Sequence, residues 1–134
     1  AQPFSAQKET NNVYELELDF SAGTKHEIVL FANEEEKGLV LSVDTEQGQI
    51  TLDRGNCGQP FALDFGTTRS CEIEPGAITA NIFIDKSVFE IFINKGEKVF
   101  SGRVFPEADQ NGIVIRTGAP TGTYYHLDYG RKTN

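Results

Sequence analysis

Residues 78–106 read ITANIFIDKSVFEIFINKGEKVFSGRVFP, and their spacing decides what kind of fold the chain makes. Ile78, Ala80, Ile82 and Ile84 recur at every second position, then Phe89, Ile91 and Ile93, then Val99. Side chains that alternate in this way point to opposite faces of an extended backbone, so the run predicts strands with at least one buried face. Two breaks divide it. Asp85-Lys86-Ser87 bends the chain because Asp and Ser side chains bond the nearby backbone, and Asn94-Lys95-Gly96 ends in the residue that takes positive φ at least cost. Three strands joined by tight turns are expected.

The register of the second hairpin is open on sequence. A three-residue loop Asn94-Lys95-Gly96, the favoured reading, sets Ile93 against Glu97 and Phe89 against Ser101, with Glu90 and Arg103 on opposite faces. A two- or four-residue loop instead sets Glu90 against Ser101, with Arg103 one diagonal step away. In either register Glu90 lies between Val88 and Phe92, which predicts a partly buried, hydrogen-bonded carboxylate.

The same alternation extends in both directions. Tyr14, Leu16, Leu18 and Phe20 share one side of residues 13–20 while Glu15, Glu17 and Asp19 share the other, as in a half-exposed antiparallel strand. A continuous apolar run, Ile28-Val29-Leu30-Phe31, predicts a more central strand over 26–33, and the charged run Glu34 to Lys37 reads as a solvated hairpin tip. Residues 39–44 and 49–54 form a second hairpin about Thr45 to Gly48. Short strands are expected over 61–65, 68–73, 112–117 and 123–129, and residues 1–12 are polar without a period, so they read as a linker or irregular lead-in before a module spanning 13–134. About ten short strands with turn chemistry between them argue for an all-β, two-sheet antiparallel β-sandwich, with a closed barrel left open by the pattern.

A chain of 134 residues buries roughly two-thirds of its unfolded surface, so its core needs no staples. Cys57 and Cys71 accordingly read as free thiols. Twenty acidic against twelve basic residues leave a net charge of −8, which repels phosphate backbones and excludes nucleic acid as a partner. No apolar run is long enough to cross a membrane. The first residue is Ala and no charged-then-apolar stretch follows it, which reads as a piece of a longer protein.

Candidate chemistry is sparse. Asp85 and Glu90 are the tempting carboxylate pair, since glycoside hydrolysis needs two acids flanking the scissile bond. Their places at a strand–turn junction and inside a strand, with no His, Tyr or Trp around them in sequence, favour structural roles. His26 and His126 are far apart in the chain and read as surface residues, so no metal site is expected. No Gly-x-Ser-x-Gly elbow and no glycine-rich phosphate loop occur. For sugar binding the candidates are Tyr124, Tyr125 and Tyr129 with His126 and Asp128, although alternation puts Tyr125 and Tyr129 beside Leu127, as in core packing.

Ile82-Phe83-Ile84-Asp85, Ser87, Glu90-Ile91-Phe92-Ile93-Asn94, Gly96-Glu97, Val99-Phe100, Arg103 and Phe105-Pro106, in that spacing, resemble the signature of the C-terminal β-sandwich module of glycoside hydrolase family 32. Weaker likeness runs through Gly38-Leu39-Val40-Leu41, Ile50 to Arg54 and Thr68 to Cys71. The resemblance selects the sandwich over the barrel and gives the signature residues Asp85, Ser87, Glu90, Asn94, Gly96, Arg103 and Pro106 structural roles. It implies a non-catalytic accessory domain, without cofactor, packed against an N-terminal catalytic β-propeller of the same chain and open to homo-oligomer contacts. The family's acids resemble three propeller motifs, Asn-Asp-Pro, Arg-Asp-Pro and Glu-Cys, and none of these strings occurs in this sequence. The parent implied is a cytoplasmic enzyme that cleaves β-fructofuranosidic bonds in sucrose or sucrose 6-phosphate; a free-standing lectin-like module is the other reading. An accessory domain is expected to leave an apolar patch bare on one outer sheet face.

Overall fold

Strands form where the sequence alternates, and turns where Gly, Asn, Asp and Ser interrupt it. The computed structural model describes residues 2–55, 57, 68–128 and 131–132. Its strands are β1 (Gln2–Pro3), β2 (Val13–Phe20), β3 (Lys25–Ala32), β4 (Leu39–Asp44), β5 (Gln49–Asp53), β6 (Thr68–Glu72), β7 (Ile78–Asp85), β8 (Val88–Ile93), β9 (Lys98–Arg103), β10 (Gly112–Thr117), β11 (Thr121–Asp128) and β12 (Arg131–Lys132). The strand expected over 61–65 lies outside the described residues, and the two-residue strands β1 and β12 carry too little pattern to be read from sequence.

All pairings are antiparallel. One sheet runs β1-β11-β2-β7-β8-β9, with β12 hairpinned onto β11; the other runs β10-β3-β4-β5-β6. Their inner faces meet as a sandwich. Tyr14, Leu16, Leu18 and Phe20 of β2 and Ile78, Ala80, Ile82 and Ile84 of β7 face Ile28, Leu30, Leu41, Val43 and Ile50 of the other sheet, all nearly inaccessible to water. Each such side chain contributes about 1.5–3 kcal/mol through removal of its apolar surface from water, against the entropy of ordering it.

The apolar run in β3 has a local cause. β3 lies between β10 and β4, and Val29, on its outer face, is buried as well, with Gly38 against it. Phe31 is the extra residue of a β-bulge: Ile113 pairs with Leu30 and Gly112 with Ala32, leaving Phe31 unpaired at φ 52°. That left-handed conformation costs about 1–2 kcal/mol, and it turns the ring into the core, where Phe31 is fully buried. Gly38 packs against the same spot, where a Cβ would lie 2.4 Å from the Leu30 carbonyl oxygen.

The second hairpin of the 78–106 stretch departs from the favoured reading. Ile93 pairs with Lys98 and Glu90 with Ser101, so the loop has four residues, Asn94 to Glu97. The cause is a contact across the sheet. Thr79 of β7 donates its N–H to Asn94 Oδ1 and accepts the Asn94 N–H through its carbonyl, both at 2.9 Å. Asn94 and Lys95 then take φ of 50° and 62°, and the Gly96 N–H closes onto the Ile93 carbonyl at 3.1 Å.

Residues 2–12 run along the open side of the sandwich. Phe4 donates to the Gly122 carbonyl of β11, Gln7 and Ile113 exchange two backbone bonds, and Thr10 donates to the Asn111 carbonyl. The segment thereby crosses from the edge of one sheet to the edge of the other and covers backbone groups that an edge strand otherwise leaves open.

Gly48 provides a test of the packing. At φ 74°, a Cβ on Gly48 would lie 2.1 Å from the Ile73 carbonyl oxygen, whereas Gly23, at φ 70°, has nothing within 4 Å. Gly48→Ala is expected to lower stability by about 3 kcal/mol and Gly23→Ala by about 1 kcal/mol, read as urea midpoints at constant m-value. Equal losses would show that φ alone matters at both positions.

Candidate functional site

The signature residues occupy the ends of β7, β8 and β9. Asp85 closes β7 opposite Val88, and Lys86, at φ 60°, begins the two-residue turn. The Ser87 carbonyl accepts the Val104 N–H at 2.7 Å, which ties the chain after β9 to the first turn. Asn94 anchors the second loop to Thr79 as described, and Gly96 projects into open space. Arg103 ends β9 opposite Val88, and Pro106 follows, half-buried.

Glu90 corrects the sequence reading. It is exposed, because Phe89, Ile91 and Ile93 take the inner positions of β8 and leave Val88, Glu90 and Phe92 on the uncovered outer face. Among the described residues no ion pair joins it to Arg103. Asp85 is exposed on the same face.

That outer face is assembled row by row from the registers. One row runs Tyr125, Glu15, Phe83, Glu90, Ser101; the next runs Thr123, Glu17, Asn81, Phe92, Val99. The Phe83 and Phe92 rings meet edge to face, with centroids 5.9 Å apart. Phe83 is 36% and Val99 51% exposed. Nearer β11 the face closes: Glu15 is buried, with Asn81 Nδ2 donating to its Oε2 at 3.3 Å. The alternation already held this signal, since Phe83 lies between the inward Ile82 and Ile84.

The sugar-binding candidates divide between the two sides of β11. Tyr124 is buried and stacks on Tyr14 at 5.6 Å between ring centroids, and burial raises its phenol pKa. Tyr125 is half-buried on the outer face, His126 is exposed, Asp128 ends the strand, and Tyr129 lies outside the described residues. They do not form one surface. Tyr14 is fully buried, and its phenol is raised still further, first by burial and then by Tyr124 and Cys57.

His26, expected at the surface, is buried. Its ring packs edge-on against Phe20, and Nε2 lies 2.6 Å from Thr24 Oγ1. Thr24 donates its hydroxyl proton to the Ser21 carbonyl, so the imidazole must be the donor at Nε2. Nδ1 is then a bare acceptor beside Gly118, with no partner among the described residues. Burial lowers the His26 pKa. Cys57 is a buried free thiol pushed up to about 12 by burial, and Cys71 is half-buried and also free. No cluster of three metal-ligating side chains occurs among the described residues. Surface grooves lie among the described residues. One, of about 350 Å³, is lined by Lys25, Ser42, Asp44, Gln49, Thr51 and Thr117; another, of about 520 Å³, lies between residues 6–8 and 32–36.

The sequence matches the family model described as glycosyl hydrolases family 32, C terminal, over residues 2–128. It is 55% identical over 121 residues to a sucrose-6-phosphate hydrolase of Streptococcus mutans, covering 90% of this chain and 25% of that protein. It is 42% identical over 106 residues to a sucrose-6-phosphate hydrolase of Lactococcus lactis, covering 78% and 20%. The solved sucrose-6-phosphate hydrolase of Lactobacillus gasseri superposes with a TM-score of 0.86 at 28% identity, over 96% of this chain and 27% of that one. The chain thus spans about a quarter of the length of the relatives it matches.

Two measurements separate structural from incidental residues here. Asn94→Ala, which removes the acceptor for Thr79 and a residue tolerant of positive φ, is expected to cost about 1–2 kcal/mol, and Glu90→Gln less than about 0.5 kcal/mol; chemical denaturation reads both. The second is pH. Because the folded His26 pKa is lowered from 6.5, its stabilisation is whole above that value and is lost as pH falls from 6.5 towards the lowered value. The melting temperature should fall between about pH 7 and about pH 5.5, and His26→Gln should flatten that slope.

Proposed function

Because the chain belongs to the glycoside hydrolase family 32 C-terminal domain family, we propose that it is the non-catalytic accessory β-sandwich of a longer, cytoplasmic enzyme that hydrolyses the β-fructofuranosidic bond of sucrose 6-phosphate. The observation that carries this reading is the 55% identity to a sucrose-6-phosphate hydrolase of which this chain spans only 25%. The three quarters beyond it have room for the propeller and its acids. In a retaining mechanism two carboxyl groups about 5–5.5 Å apart act as nucleophile and acid/base. Asp85 and Glu90 are exposed to solvent on an open sheet face, which supports placing that pair elsewhere. The domain's contribution is mechanical. It packs against the catalytic part and stabilises it.

The test is direct. The full-length parent should release fructose from sucrose 6-phosphate and retain that activity in Asp85→Asn and Glu90→Gln. Calorimetric titration of residues 1–134 with sucrose, fructose and fructans should give no heat. A micromolar isotherm would replace the accessory reading with a lectin-like one, and loss of turnover in either carboxamide variant with melting unchanged would return catalysis to this domain.

A further inference from the structure

The two outer faces of the sandwich differ in kind. On the five-stranded sheet, two successive rows, Lys25, Asp44, Gln49, Glu72 and Glu27, Ser42, Thr51, Ser70, are polar, and the next, Val114, Val29, Val40, Asp53, Thr68, holds three valines of which none is among the exposed large apolar side chains. The seven-stranded sheet carries instead a contiguous apolar diagonal. Phe92 lies directly opposite Val99, and Phe83 has Val88 and Phe92 as its two diagonal neighbours. Phe83 and Val99 are two of the three large apolar side chains exposed among the described residues. Around them stand Asp85, Glu90, Ser101 and Arg103, all exposed. An apolar centre ringed by charge is the composition of an interface. β7 and β8 lie inside the sheet with both edges paired, so only a surface laid flat on the face can cover these rings.

Resting on the accessory-domain reading above, we infer that the outer face of β7-β8-β9, centred on Phe83, Phe92 and Val99, is the surface on which the remaining three quarters of the same polypeptide docks. Size and connectivity select this occupant. Stable association of free copies buries about 800 Å² per partner, far more than four partly exposed side chains supply. A partner on the same chain is held at about millimolar effective concentration, so a small apolar centre suffices. The polar rows of the other sheet, from Lys25 to Glu72 and from Glu27 to Ser70, remain in water.

The experiment uses the full-length parent with Cys71→Ser as background, Cys57 being buried. Val99→Cys and Ser70→Cys, one on each outer face, are labelled with a maleimide, and the label is read at each position by mass spectrometry of the peptide that carries it. Both positions are open in this domain, so docking should slow labelling at position 99 by at least about tenfold relative to position 70. Equal rates would overturn the inference, and so would slow labelling at 99 that disappears on dilution, because that would assign the face to a second copy. The two readings fail separately: an active parent with equal labelling removes only the docking face, and a parent without sucrose 6-phosphate hydrolysis removes the accessory reading.

Discussion

The eight-residue pairing of β2 with β7, from Val13 against Asp85 to Phe20 against Ile78, is the constraint on which the rest of the molecule depends. It joins segments distant in sequence, so its closure entropy must be met by many buried side chains at once. Both strands bury four inner residues, and the register that aligns those eight also fixes the outer rows. On one side β11 takes its place from β2; on the other, β8 and β9 take theirs from β7. A slip of one residue would turn Phe83 inward and Ile82 and Ile84 outward, exchanging core for surface along the whole sheet.

Sequence alone was enough for what depends on period. The alternation at Tyr14, Leu16, Leu18 and Phe20 and from Ile78 to Ile93 gave strands with the correct inner faces, and the resemblance supplied the sandwich. It failed wherever a distant residue decides. The loop at Asn94 looked like a local choice among hairpin types, but Thr79 on the neighbouring strand settles it. Glu90 looked half-buried because its sequence neighbours are apolar, although the face they share is uncovered. His26 looked like a strand-end surface residue, and the turn at Gly118 from the far end of the chain covers it. The division of the tyrosines across β11 was partly readable from alternation, whereas the stack of Tyr124 on Tyr14 required the β2–β11 register.

Within the stretch rich in Asp, Glu, Asn and Ser, two residues fasten the turns to the strands. Ser87 holds the chain after β9 through a backbone carbonyl, and Asn94 holds its loop to β7. The Asn94 side chain meets a demand of turn geometry, and the apolar identities of the stretch fill the core or the exposed diagonal.

The segment at residues 2–12 has a consequence for the order of events during synthesis. Its partners, Asn111, Ile113 and Gly122, emerge from the ribosome after nearly all of the domain has been made. β2 likewise waits for β7. β1 and β2 therefore stay without their sheet partners until late in the synthesis of these residues, while β3, β4 and β5 already close on one another as local hairpins.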